Sequence, residues 1–141
     1  MDGFETSDER MSPMLHHVEL YVSDLKKSLT AWDWLLTELG YTLYQQWDQG
    51  QSYRFGETYL VFVQTETVHL EPPYHRKKTG LNHIAFHADS LEQLERLRSQ
   101  LAQHGFVELY ADRFPYAGGP NYIALYFEDP DRMKVELVAT M

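Results

Sequence analysis

Leu15-His16-His17-Val18-Glu19-Leu20-Tyr21-Val22-Ser23-Asp24-Leu25 returns in altered form as Leu81-Asn82-His83-Ile84-Ala85-Phe86-His87-Ala88-Asp89-Ser90-Leu91. Aligning His17 with His83 gives an offset of 83 − 17 = 66, which Leu25 and Leu91 keep (91 − 25 = 66). Gly40 and Gly105 nearly keep it (105 − 40 = 65). A period of this length that fills the chain is the mark of a duplicated supersecondary unit. Within the first copy, His16, Val18, Leu20 and Val22 alternate with His17, Glu19 and Tyr21, the period of a strand. In the second copy Ile84 and Phe86 alternate with His83, Ala85 and His87 in the same way.

Working outward, Ser23 or Asp24 can cap a helix running to about Leu39 and closed by Gly40. Leu25, Leu29, Trp32, Leu36 and Leu39 supply its apolar face. Ser90 followed by Gln93 is a capping-box pattern for a second helix to about His104, closed by Gly105, with Leu91, Leu94, Leu97 and Leu101 facing inward. Strand-like runs follow each helix, at about 41–47, 51–56 and 58–65, then 106–111, 121–128 and 133–139. Gly56-Glu57 and Asp129-Pro130-Asp131-Arg132 supply the turns between the last two runs of each copy. The chain is therefore expected to be α+β, with two tandem βαβββ modules at 14–65 and 81–141. A linker at 66–80 joins them, and residues 1–13 form a polar, acidic lead-in expected to be disordered.

One helix covers one face of a four-stranded sheet; the other face must bury against something or enclose something. Here that face carries His17, Glu19 and Tyr21 in one module and His83 and His87 in the other. Polar groups are costly to bury without partners, so the pattern suits curved mixed sheets around a shared polar cavity.

The 141 residues carry a net charge of −9 and no cysteine. So acidic a chain is a poor match for a phosphate backbone, and no nucleic-acid partner is expected. Any metal would be held by His and carboxylates, because no thiolate is available. No apolar run is long enough for a membrane span and no secretory pattern opens the chain, so a cytoplasmic protein without a membrane partner is expected.

The motif His17-x-x-x-x-Val22-Ser23-Asp24-Leu25, its echo at His83, and Glu136 in Phe127-Glu128-Asp129-Pro130-Asp131-x-x-x-x-Glu136-Leu137 resemble the vicinal oxygen chelate superfamily, the glyoxalase, bleomycin-resistance and dioxygenase proteins. The resemblance spans about residues 14–140. It implies that His17, His83 and Glu136 hold a divalent ion (Zn, Mn, Ni, Co or ferrous iron), leaving coordination positions open for neighbouring oxygens of a small substrate. Many members add a Glu or Gln on the last strand of the first module. Alignment of Tyr59-Leu60-Val61-Phe62-Val63-Gln64 puts Phe62 in that slot. Either Gln64 completes the set after a small register shift, or the site has three protein ligands, as in the fosfomycin-resistance transferases and some dioxygenases. The implied activity is that of a metal-dependent lyase, isomerase, transferase or dioxygenase, with Glu136 at the reacting centre. The alternative is a metal-free, drug-sequestering protein of the bleomycin-resistance kind. Two-module members commonly form homodimers, which is the expectation here.

Most of the remaining candidates have two readings each. Glu19 is either a general base or a hydrogen-bonded structural carboxylate. His87 either orients His83 or forms pocket wall, Tyr21 and Phe62 line the pocket, and Tyr116, Tyr122 and Tyr126 line it or pack. Arg76, in the basic stretch His75-Arg76-Lys77-Lys78, either grips an anionic substrate group or belongs to a solvated loop. Residues 113–120, rich in Gly and Pro, form a lid or an irregular connection.

Overall fold

The computed structural model describes residues 13–140 of the chain; the expectation for the lead-in falls almost wholly on residues 1–12, outside the described residues. The first module comprises β1 (His17–Val22), α1 (Leu25–Glu38), β2 (Thr42–Trp47), β3 (Gly50–Phe55) and β4 (Thr58–Gln64). The second comprises β5 (His83–Ala88), α2 (Leu91–Arg98), β6 (Val107–Leu109), β7 (Ile123–Glu128) and β8 (Lys134–Ala139). Each module makes one open, mixed sheet, in the orders β1-β4-β3-β2 and β5-β8-β7-β6. The first strand of each runs parallel to the last, and the other pairs are antiparallel. Among the described residues no helix is long and apolar enough to cross a membrane.

Local chemistry explains both helix starts. Asp24 caps α1, its carboxylate accepting from Lys27 N at 3.1 Å, and Ser23 is used elsewhere. Ser90 Oγ accepts from Gln93 N at 3.1 Å, while Gln93 Oε1 reaches back to Asp89 N at 2.7 Å. Each reciprocal contact satisfies a backbone donor that the first turn of a helix leaves without an intrahelical partner. α2 ends earlier than the periodicity predicts. It closes at Ser99, and Leu101–His104 continue as a 3₁₀ turn ended by Gly105 in the left-handed conformation (φ 89°). Leu101 stays in the core, so the apolar spacing persists while the backbone tightens.

The two modules share one core. Trp32 of α1 is fully buried against Phe62, Phe86 and Phe106, at ring separations of 5.1, 6.2 and 6.0 Å. Its indole N–H donates to the carboxylate of Asp129, in the β7–β8 turn, at 3.0 Å. Asp131 in the same turn accepts from both the backbone N–H and the hydroxyl of Ser23. The helical segments also meet directly: Gln93 Nε2 donates to Glu38 O, Arg96 pairs with Glu38, and Trp34 stacks on His104 at 4.1 Å.

With the helices turned toward this core, the opposite face of each sheet looks outward. His17, Glu19 and Tyr21 on β1, and His83, Ala85 and His87 on β5, are exposed, while the residues between them are partly or fully buried. β1 and β5 are edge strands of their sheets.

Candidate metal centre

Among the described residues Glu136 is the one carboxylate buried at the middle of an outward face, 4% exposed. The parallel pairing of β5 and β8 sets Ala85 beside Glu136, and His83 two residues earlier on the same face. This brings His83 Nε2 to 3.2 Å from Glu136 Oε1. The remaining atoms of both side chains are held by neighbours. Asn82 Oδ1 lies 2.7 Å from His83 Nδ1, and Asn82 Nδ2 donates to Arg76 O at 3.2 Å, which settles which end of the amide faces the imidazole. With Nδ1–H donating to Asn82 Oδ1, Nε2 is the nitrogen directed at Glu136 Oε1, the one a metal-binding imidazole would offer. Glu136 Oε2 accepts from Tyr122 at 2.5 Å and from Tyr126 at 3.4 Å, leaving Oε1 toward His83. The Tyr122 hydroxyl is raised in pKa by its bond to Glu136 and then by burial. Burial, then the Glu136 charge, pushes Tyr126 up to about 12. Both phenols therefore stay protonated donors at neutral pH. Gly118, in the 113–120 connection, lies against both rings: a Cβ there would collide with the Tyr126 hydroxyl and with Tyr122.

His17 occupies the equivalent place in the other sheet. Its ring is stacked on Tyr59, 4.7 Å away and within 3° of parallel. His17 Nδ1 lies 2.9 Å from His16 Nδ1. With His16 as acceptor, Nε2 again carries the free lone pair. Within one chain, however, His17 does not join His83 and Glu136: among the described residues no three His, Asp or Glu side chains cluster closely enough to hold a metal. The donor types and their orientation would fit a divalent ion in two of its positions; a third donor would have to come from elsewhere.

Strand register corrects the fourth-ligand assignment. Glu19 lies beside Val61 just as Ala85 lies beside Glu136. Val61, not Phe62, thus occupies the slot matching Glu136, and it carries no donor. Phe62 pairs with Leu20 and points the other way, fully buried against Trp32 and Tyr53, so it is core and not pocket. Gln64 shares that inward face. Its Oε1 accepts from Leu25 N at 2.8 Å and its Nε2 donates to Ser23 O at 2.9 Å, so the amide is spent on the start of α1.

Arg76 is not free to grip a substrate: its guanidinium donates to Glu128 at 2.8 Å and to Arg132 O at 2.9 Å, latching the linker to the β7–β8 turn. Glu19 and Tyr21 border a cleft of about 980 Å³ between β1 and the linker, with His69, Tyr74 and Met133 on its other walls. His87 is exposed on the outward face of β5, two positions past Ala85, and Tyr116 is 48% exposed in the loop. The sequence reading missed Asn82, Tyr59 and Val61. Asn82, preceding a candidate ligand, was the signal available; the others needed the register.

The Glyoxalase/Bleomycin resistance protein/Dioxygenase superfamily model matches residues 14–137. The chain is 52% identical over 125 residues to the uncharacterized protein YqjT of Bacillus subtilis (strain 168), covering 89% of this chain and 98% of that protein. It is 32% identical over 127 residues to the glutathione transferase FosA of Serratia marcescens, covering 90% and 81% of the two chains. A crystal structure of a candidate glyoxalase from Bacillus halodurans superposes with a TM-score of 0.89 at 55% identity, over 92% of this chain and 98% of that one. A glyoxalase/bleomycin resistance protein from Albidiferax ferrireducens T118 shares the fold at 22% identity, with a TM-score of 0.71 over 91% and 99% of the chains. With its repeat, its two sheets and the matched span in agreement, the chain belongs to the glyoxalase/bleomycin resistance protein/dioxygenase superfamily.

Proposed function

We propose that the protein is a metal-dependent enzyme working as a homodimer, in which His83 and Glu136 of one chain and His17 of a second copy hold one divalent ion. The observation that carries this reading is the His83–Glu136 pair at 3.2 Å, with the far side of each ligand fixed by Asn82, Tyr122 and Tyr126. A buried carboxylate supported by two phenols and facing an imidazole nitrogen suits a metal pair, and has one donor too few in a single chain. His17 is the remaining candidate on an outward face, on an edge strand flanked by exposed Met14, Leu15 and Tyr21, which a partner's sheet would cover.

Val61 in the fourth slot favours a three-ligand centre, and the likeness to a glutathione transferase favours group transfer over the isomerisation chemistry of four-ligand members. The ion, whether Zn, Mn, Ni, Co or ferrous iron, would supply Lewis acidity to two oxygens of a small substrate. The chain's own residues do the rest. Asn82 keeps His83 in its binding tautomer. Tyr122 and Tyr126 hold Glu136 in one orientation. Glu19, two positions from His17 on the same face, enters with it as a carboxylate able to take a proton from a nucleophile.

Two singly disabled chains test the arrangement. His17→Ala and Glu136→Ala homodimers should each bind metal weakly. When the two are unfolded together and refolded, each heterodimer regains one intact site, made from His17 of one chain and His83 and Glu136 of the other. Recovery of tight metal binding only in the mixture, together with metal-dependent consumption of a thiol in the presence of small electrophiles, is the expected result. A monomeric solution mass, or no recovery among demonstrated heterodimers, would sink the cross-chain site.

A further inference from the structure

The outward face of the second module carries a cation with no acidic partner among the described residues. Lys134 lies beside His83 in the β5–β8 register and two residues before Glu136, so its side chain leaves the sheet on the ligand face. Its strand partner on the other side, Glu128, is already neutralised: Arg76 binds it at 2.8 Å and Arg132 lies at 3.4 Å. Among the described residues Lys134 has no carboxylate within ion-pair distance, in a chain whose net charge is −9. A lysine without an acidic partner ordinarily extends into water. This one is partly buried and folds back over two rings, with Nζ 5.0 Å from the centre of Tyr110, 5.1 Å from that of Tyr126, and 3.2 Å from the Tyr110 hydroxyl.

The cradle is itself held in place. Tyr110 has a left-handed backbone (φ 58°, ψ 36°), which a side chain bearing a Cβ adopts at a cost. Its ring meets Tyr126 in a T-shaped arrangement, 5.4 Å away, and its hydroxyl accepts from the ammonium. Because Lys134 donates to the phenol oxygen, the phenol hydrogen is left to donate outward. A second cation, Arg113, lies over the same ring at 5.1 Å. Tyr126, against which Lys134 rests, also donates to Glu136. The ammonium therefore sits one aromatic ring away from the carboxylate of the metal pair.

Building on the metal-dependent reading above, we propose that Lys134 and Tyr110 form an oxyanion anchor beside the metal pair, so that the substrate carries an anionic oxygen group in addition to the oxygens it presents to the ion. The ammonium and the phenol hydrogen supply two convergent donors, and strong binding of charged oxygens is what such charge-assisted pairs provide. Arg113 adds field without a direct bond.

Inorganic sulfate is the probe, followed by backbone amide chemical shifts in the full-length protein, metal-free and then Zn-loaded. In the parent, sulfate should shift the amides of residues 109–111 and 134–136 saturably, at millimolar concentration. Lys134→Met should weaken this by about 10-fold or more, with Zn affinity and unfolding midpoint little changed; Lys134→Arg should retain most of it. Tyr110→Phe, which keeps the ring and removes the donor, should weaken sulfate by a smaller factor and serves if Lys134→Met fails to fold. Equal sulfate affinity in parent and Lys134→Met, or no saturable shift at these residues in the parent, overturns the anchor. Failure to bind any of Zn, Mn, Ni, Co or ferrous iron would instead overturn the metal-dependent reading, and the metal-free titration would still decide the role of Lys134.

Discussion

Asp129→Asn is expected to change how stability depends on pH, because Asp129 is the carboxylate on which the two modules close. It is 3% exposed. Its Oδ1 accepts from the backbone of Asp131 (2.9 Å) and Met133 (2.8 Å), and its Oδ2 from the Trp32 indole (3.0 Å). Those three donors favour the anion without repaying its dehydration. Burial, reinforced by the neighbouring Asp131 charge, raises the pKa from 3.8 to about 6. The folded chain thus holds this proton more tightly than the unfolded chain. The stability it contributes is fully present below pH 3.8 and is lost as pH rises through about 6. At about 1.4 kcal/mol per pH unit, the part lost between about pH 4.5 and about pH 7.5 is about 2 kcal/mol. Asparagine does not titrate, and its Nδ2 sets a donor against the Trp32 N–H, a cost that does not vary with pH. Urea unfolding of parent and variant, followed by tryptophan fluorescence across this range, should show the parent's advantage shrinking by about 2 kcal/mol as pH rises. Titrating groups far from Asp129 cancel in the difference. A difference constant to within about 0.5 kcal/mol, or one that grows with pH, would refute the reasoning.

Tyr122→Phe removes the shorter of the two bonds to Glu136 Oε2 and should weaken metal binding by about 10- to 100-fold with the fold intact, read by competition with a metallochromic dye. Gly118→Ala should do the same through displacement, since the added methyl collides with both phenols; unchanged metal affinity would show that the rings are not held by this loop. Gln64→Ala should cost about 1–3 kcal/mol of stability, because Leu25 N loses its acceptor at the start of α1, while metal affinity stays at the parent value. Loss of metal in that variant would restore Gln64 as a ligand.

How far the sequence could be read depended on whether one face of each strand differed from the other. β1 and β5 alternate cleanly between polar and apolar, so the 66-residue offset of His17 and His83 translates directly into equivalent positions on two sheets. β4 is different. Tyr59-Leu60-Val61-Phe62-Val63 is apolar on both faces, so its phase leaves no trace in composition, and a slip of one residue exchanges the faces. That slip is the whole distance between Phe62 in the ligand slot and Phe62 in the core. Lys134 and Tyr110 were unreadable for another reason. What distinguishes that lysine is the absence of a counter-charge, and the neutralisation of Glu128 by Arg76 joins residues 52 positions apart.

The repeat also carries an asymmetry that bears on assembly. Both modules present a histidine on an outward face, but the first has Val61 where the second has Glu136. Two copies of the first half would offer imidazoles without a carboxylate. Two copies of the second would bring two buried carboxylates together, each already at its limit of phenol donors, with charge repulsion to overcome. Pairing unlike halves gives two imidazoles and one carboxylate, the combination a divalent ion accepts with positions to spare. Within one chain, among the described residues, His17 does not join His83 and Glu136, so unlike halves would have to meet between chains. A two-fold axis does this twice, with each half used once. Valine in the slot that holds Glu136 in the other repeat would thereby give a dimer reason to pair first module with second, and a dimer found to pair like with like would leave the proposed His83–Glu136 pair without a third donor.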